Sequence, residues 1–315
     1  MGRLLQSASL EDAGWHSMCG SGEGVSIPAA GPLESPDERA HELTLLTIRP
    51  GRGWSSVDLR EIWEFRDLFR SLTERDLKLR YKQTVLGVLW VVLQPLTAAG
   101  IFAFVFGRVA KLEAPGGVPY FLFSFTGMLV WTLFNGTLNR ASGAMLGNEH
   151  LISKVYFPRL ILPLATVGAA LLDFLVSSVM LVVLLLVFWH LPGLSFLLIP
   201  WCVAIVLILA LGVGMIAGAL AVSYRDVGYI VPVALQFLLY LSPIAYPLAE
   251  VPEVYRALYS LNPLVPLLES FRWALLGVGE LPIGGLVYAT IVSLAVALAG
   301  TFVFRRMERR FADVI

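Results

Sequence analysis

Long apolar runs, separated by short charged clusters, dominate the chain. Residues 174 to 224 contain no Asp, Glu, Lys or Arg, a stretch of 51 positions. A helix needs about 20 mostly apolar residues to cross a bilayer, so this stretch alone holds two spans. His190-Leu191-Pro192-Gly193 supplies the turn between them. The same rule predicts six spans: Leu86–Phe106, Tyr120–Leu138, Leu160–Trp189, Phe196–Val222, Tyr229–Leu248 and Ile283–Phe304. The third is over-long and is expected to tilt or protrude. The runs are continuous rather than alternating, which argues against a closed barrel and for helices.

Three further elements do not read as spans. Leu59–Lys82 carries Ile62, Phe65, Leu68, Phe69 and Leu72 on one helical face, with charges elsewhere. Asp58 can cap its start, and the pairs Glu74/Lys78 and Asp76/Arg80 have the favourable i, i+4 order. It reads as an amphipathic helix in the membrane interface, serving as an anchor or as a hinge for span 1. The loop Arg140–Arg159 mixes Leu151, Ile152, Val155 and Tyr156 with Glu149 and Lys154, a composition suited to protein docking or to a plain connector. Between spans 5 and 6, Val254–Leu261 and Val265–Val278 are broken by Pro252, Pro263 and Pro266. Each is too short to cross, so both read as re-entrant or interfacial outer helices. Arg256, Glu269 and Arg272 lie in or beside these pieces, where ionisable groups are usually paired and often mark a pathway.

Composition and charge narrow the class. Apolar residues make up 57% and charged ones 15%, against about 25% charged in a soluble domain. Cys19 and Cys202 are too few for a disulfide scaffold. Lys+Arg and Asp+Glu both number 23, so no nucleic-acid partner is implied. Placement of Lys and Arg is lopsided: 15 flank one side of the six spans and 4 (Arg108, Lys111, Arg256, Arg272) the other. Both termini are therefore expected in the cytoplasm. Residues 1–56 are rich in Gly, Ser, Pro and acids, without the apolar core of a signal peptide, and are expected to form a disordered cytoplasmic tail. The expected organisation is that tail, an interface helix over 57–83, and a six-span domain over 84–315: an all-α integral membrane protein.

Candidate chemistry is sparse. Asp173 is the one charge inside the six spans, either paired with a polar group, facing a wet cavity, or serving a proton relay. Gly212, Gly214 and Gly218 put small residues on one face, for internal packing or a seam between copies. His190 has no second ligand at metal spacing. No Gly-x-x-x-x-Gly-Lys-Ser/Thr, Gly-x-Ser-x-Gly or His-Glu-x-x-His occurs. No catalytic residue, metal or bound cofactor is expected.

Several motifs together carry a family resemblance: Asp76-Leu-Lys-Leu-Arg-Tyr-Lys-Gln-Thr-Val-Leu-Gly-Val-Leu-Trp90 with Gln94-Pro95, Gly147-Asn-Glu-His-Leu-Ile-Ser-Lys-Val-Tyr-Phe-Pro-Arg159, Tyr224-Arg-Asp-Val227, Leu241-Ser-Pro-Ile-Ala-Tyr-Pro247 and Leu261-Asn-Pro-Leu264. Over residues 60–315 the chain resembles the membrane subunit of type-2 ABC exporters, in the branch that exports O-antigen, capsular polysaccharide and teichoic acid. The resemblance implies a homodimer of permeases in a bacterial inner membrane, paired with two copies of a separate ATPase that binds ATP and Mg. It implies a polyprenyl-diphosphate-linked polysaccharide as substrate. It assigns ATPase coupling to Glu149, Leu151, Lys154 and Tyr156, with a second contact at Arg225 and Asp226, and an outer gate to Arg256, Glu269 and Arg272. Trp90, Phe237, Tyr240 and Tyr246 are expected to form a sugar-stacking channel wall, or to serve ordinary packing and interface anchoring. A type-2 exporter of small hydrophobic compounds or lipids is the alternative. An integral membrane enzyme acting on a lipid-linked sugar would need paired acids or a metal cluster, and none is evident.

Overall fold

The computed structural model describes residues 63–82, 87–152, 154 and 157–314, with the side chains of 79–82 and 309–314 excepted. The expected tail, the start of the interface helix, Val155 and Tyr156 lie outside the described residues. Among the described residues every regular element is helical. In chain order these are α1 (Arg66–Lys82), α2 (Gly87–Phe102, continued by a π-helical stretch Ala103–Val109), α3 (Tyr120–Gly143), the four-residue α4 (Glu149–Ile152), α5 (Ile161–Val187), α6 (Ile199–Ser223), α7 (Val227–Leu241), α8 (Glu253–Ser260), α9 (Leu264–Leu276) and α10 (Ile283–Val314).

Five helices are long and apolar enough to cross a membrane: Gly87–Val109, Tyr120–Gly143, Ile161–Val187, Leu194–Ser223 (α6 with its leading 3-10 turn) and the stretch of α10 from Ile283 to Glu308. The fifth expected span, Tyr229–Leu248, differs. α7 holds 15 residues, about 22 Å at 1.5 Å per residue, short of the ~30 Å hydrocarbon core. It stops at Leu241 rather than Leu248 because Ser242 is extended (φ −107°, ψ 142°) before Pro243, and the residue before a proline is driven out of the α region.

Two other boundaries also depart from expectation. α3 continues past Leu138 to Gly143, since nothing in Asn139-Arg140-Ala141-Ser142 breaks a helix. Arg140 thus belongs to a span helix, and Asp173 is not the lone charge within these helices. α10 runs on through Arg305 and Arg306 beyond the expected end at Phe304.

α3 and α6 form the centre. Gly214 and Gly218 of α6 allow backbone contact with the last turns of α3: a Cβ on Gly214 would lie 2.6 Å from the Cβ of Ala141, and one on Gly218 3.0 Å from its carbonyl oxygen. On the opposite side Gly212 meets Gly300 of α10, where a Cβ on Gly300 would sit 2.4 Å from the Gly212 carbonyl. The three glycines of α6 therefore serve packing within one chain, as small residues do where lipid offers no competing hydrophobic force. The same contacts put the C-terminal ends of α3 and α6 at one level of the molecule.

α1 packs its apolar face (Leu68, Phe69, Leu72), with Phe65 just before it, against Met145, Phe157, Leu160, Ile161 and Phe304. Thr73 lies at the contact: its hydroxyl donates to the Phe69 carbonyl of its own helix at 2.9 Å, with the Ala165 carbonyl 3.3 Å away, and its methyl fills the gap left by Gly168.

Candidate functional site

At the end of the bundle that carries α1, the loop after α3 is braced from two sides. Asn148 donates to the Ala144 carbonyl at 2.8 Å, folding the loop back on α3. Arg75 of α1 donates to the Asn148 side-chain oxygen at 2.6 Å and to Asp76 at 2.8 Å. Beyond the loop, Arg159 donates through its backbone N–H to the Glu308 carboxylate at 3.3 Å and through its guanidinium to the Glu308 carbonyl at 2.9 Å. The start of α5 is thereby tied to the end of α10. Leu151 and Ile152 are half-buried against the α1 cluster, while Leu146, Glu149 and Lys154 are exposed. Arg225 and Asp226 are exposed in the turn after α6, at the same end of the bundle as α4. The structure thus gathers the described coupling residues at one end; Tyr156 lies outside the described residues.

At the other end the controlling residue is Arg272 of α9, a fully buried cation. Its guanidinium donates to the carbonyls of Pro243 and Ile244, both at 2.7 Å, and to Glu269 at 3.3 Å. It also lies over the Phe123 ring at 3.7 Å from the centroid. Burial lowers its proton affinity, opposed by the neighbouring Glu269 carboxylate. A cation can stay there because its two terminal nitrogens find two carbonyls and a carboxylate and its face finds a π-system, although the buried Nε has no acceptor among the described residues. The result is a clamp joining α9, α3 and the Pro-rich turn after α7. Only Gly fits at position 127, since a Cβ there would lie 2.6 Å from the guanidinium.

The clamp is continued by polar contacts around α9. Ser195 donates to the Ala274 carbonyl at 3.0 Å, and His190 sits 2.6 Å from the Leu276 carbonyl. The last turn of α9 thus has partners for carbonyls that would otherwise be orphaned. Asn262 bridges to Ser242 at 3.0 Å. Arg256 donates to the carbonyls of Val251 and Ala249 at 3.0 and 3.1 Å and approaches Glu253 at 3.8 Å. Of the three expected gate residues, Glu269 and Arg272 are brought together and Arg256 is held separately on α8.

The four expected aromatic wall residues divide in the same way. Trp90, Phe237 and Tyr240 are exposed on α2 and α7. Tyr246 is half-buried and lines a cleft of about 500 Å³ with Phe106, Tyr255, Tyr259 and Glu250. Its hydroxyl donates to the Tyr240 carbonyl at 2.8 Å, so the Tyr259 hydroxyl, 2.6 Å away, donates to Tyr246. Burial first, and the Tyr259 bond second, push the Tyr246 phenol well above its ordinary range. It is a neutral hydrogen-bonding group at any physiological pH.

Within the bundle Arg140 of α3 pairs with Asp173 of α5. Sequence reasoning assigned Arg140 to a loop and so missed the pair. The readable signal was the run Thr132, Asn135, Asn139, Arg140, polar positions at helical spacing next to an apolar span. Among the described residues no group of three or more His, Cys, Asp or Glu could hold a metal ion.

The architecture defines a multi-pass membrane protein whose bundle is braced at one end by Arg75–Asn148 and Arg159–Glu308 and clamped at the other by Arg272. Residues 67–276 match the ABC-2 type transporter family, and the chain belongs to that family. It is similar to O-antigen export system permease proteins RfbA. The one from Klebsiella pneumoniae is 30% identical over 79% of this chain and 95% of the relative. The one from Myxococcus xanthus is 31% identical over 82% and 98%. It is also similar to the polysialic acid transport protein KpsM of Escherichia coli, 27% identical over 74% of this chain and 91% of the relative.

Proposed function

We propose that this chain is the permease half of an ABC exporter of lipid-linked polysaccharide such as O-antigen. Two copies would form the conduit in a bacterial inner membrane, and a separate ATPase, binding ATP and Mg, would drive it. The observation that carries the reading is the similarity to O-antigen permeases along nearly their whole length. The braced end of the bundle supports it. A docking segment tied to α1 by Arg75–Asn148 and to α10 by Arg159–Glu308 moves those helices when a partner pushes on it. Chemistry on ATP belongs to the partner; the permease residues bind, orient and transmit.

The test is truncation of apolar docking residues in cells carrying the ATPase. Tyr156→Ala and Leu151→Ala should release or uncouple the ATPase, because buried anchors commonly carry 2 kcal/mol or more of an interface. Glu149→Ala should cost about 0–1 kcal/mol. Co-purification of ATPase and export are read together. Full binding and full export in both apolar variants would move coupling away from this segment, to Tyr224–Asp226. Orientation is checked separately: a cysteine at Glu253 should react with an impermeant thiol reagent from outside, and one at Lys154 should not.

A further inference from the structure

The inner half of α3 holds an arrangement that neither end of the bundle explains. Leu133, Phe134, Thr137, Leu138 and Ala141 are buried. Between them Thr132, Asn135, Gly136, Asn139 and Arg140 are half-exposed. Their spacing of three, four, seven and eight places them on one face of the helix. The one uncovered face of an otherwise enclosed helix is therefore its polar face.

That face does not suit lipid. Side-chain amides and a guanidinium facing hydrocarbon lose hydrogen bonds that the medium cannot replace. The hydrogen-bond inventory indicates what faces them instead. Asn139 donates to the carbonyl and the side-chain oxygen of Asn135 at 3.0 and 2.7 Å. This leaves both donors of the Asn135 side-chain amide and the Asn139 side-chain acceptor without a partner among the described residues. Arg140 is neutralised by Asp173 through one nitrogen, while its other terminal nitrogen is buried with no acceptor. The stripe thus offers donors and acceptors in alternation but no net charge, which favours an uncharged, hydroxyl-rich ligand over an anion.

We propose that Thr132, Asn135 and Asn139 line a water-filled conduit and bind the hydroxyls of the polysaccharide during passage, with Arg140–Asp173 as a positioning pair behind them. The inference rests on the export reading above.

The test uses the full chain with its ATPase in a strain lacking the native copy. In a background with Cys19→Ser and Cys202→Ser, Asn139→Cys should react with a charged, water-soluble thiol reagent. The reaction should slow at least threefold in cells that make the polysaccharide. Asn135→Leu with Asn139→Leu should lower export tenfold with ATPase co-purification unchanged, whereas the pair of serine substitutions should retain most export. No labelling, or rapid disulfide joining of two Asn139→Cys copies without labelling, makes the face a lipid or copy-to-copy surface and overturns the conduit. Labelling without protection overturns the polysaccharide as occupant, and equal loss in the leucine and serine pairs overturns hydroxyl recognition. Failure of the unsubstituted chain to restore export would sink the export reading itself, while the labelling arm still decides whether the stripe is wet.

Discussion

Two consecutive helices of nearly equal length have opposite surroundings. In the most apolar part of Gly87–Val109, 17% of the residues are buried within the chain, against 78% in that of Tyr120–Gly143. Apolarity does not separate them, because lipid tails are as apolar as leucine and a bare span is content in them. Small and polar residues do. The exposed helix presents Leu89, Ile101, Phe104 and Val109 outward. The enclosed one buries Ser124, Thr126 and Thr137 and is approached closely at Gly127. In the first half of α3 the hydroxyls that lipid would reject are buried with the apolar residues, whereas the polar stripe from Thr132 to Arg140 stays uncovered within the chain.

The sharpest way to break the contrast is at the N-terminal half of α3, where Arg272 lies over Phe123 and against Gly127. Arg272→Met should destabilise the protein by about 3–5 kcal/mol, since it strands Glu269 and two buried carbonyls. Arg272→Lys should recover only part, because an ammonium does not reproduce the guanidinium fork that serves Pro243 and Ile244. Thermal unfolding in detergent reads both. A melting point unchanged in Arg272→Met would show that the clamp does not hold α3.

Next in size is the Arg140–Asp173 pair. Asp173→Asn should cost about 1.5–3 kcal/mol, the range for hydrogen bonds to charged groups. Adding Arg140→Gln should restore part of the loss by removing the stranded cation. If the double variant is as unstable as the sum of the two singles, the residues are not coupled.

Close behind comes the glycine contact at the C-terminal half of α3. Gly214→Leu should cost about 1–3 kcal/mol through overpacking against Ala141 and Leu138. Gly214→Ala combined with Ala141→Gly should lie nearer wild type than Gly214→Ala alone, because the two methyl carbons would lie only 2.6 Å apart.

These sites also show what the sequence made legible. α8 and α9 fall within three residues of the boundaries that Pro252 and Pro263 imply, because proline acts locally, while Pro266 sits in the first turn of α9 without ending it. The face of α1 was readable from the spacing of Phe65, Leu68, Phe69 and Leu72. The pairing of Glu269 with Arg272 was anticipated by the cost of a lone charge near a membrane; the Pro243 and Ile244 carbonyls were not, since backbone acceptors carry no sequence signature. Arg140 was misread because a hydropathy rule ends a span at its first charge, whereas the backbone ends a helix only where a residue breaks it. The π-helical stretch Ala103–Val109 had no pattern to announce it: the Ala110 N–H reaches back to the Val105 carbonyl, a shift that leaves residue types unconstrained.

The smallest expected effect completes the contrast. Ile101 projects from α2 away from the bundle and is 56% exposed. In a single chain in detergent, Ile101→Ala should leave the melting point within the equivalent of about 0.5 kcal/mol, the range of surface substitutions. The same truncation at Leu129 on α3, fully buried, should cost about 2–5 kcal/mol through the cavity it leaves. The two measurements together separate exposure to lipid from exposure to a second copy. If Ile101→Ala is silent at low protein concentration but destabilises a concentrated sample, a second copy covers that face of α2 and its apparent bareness belongs to the isolated chain. If it is silent at every concentration, lipid or detergent is its ordinary neighbour. A loss as large as that at Leu129 at every concentration would mean that α2 packs within the chain after all, and the difference between the two helices would fall.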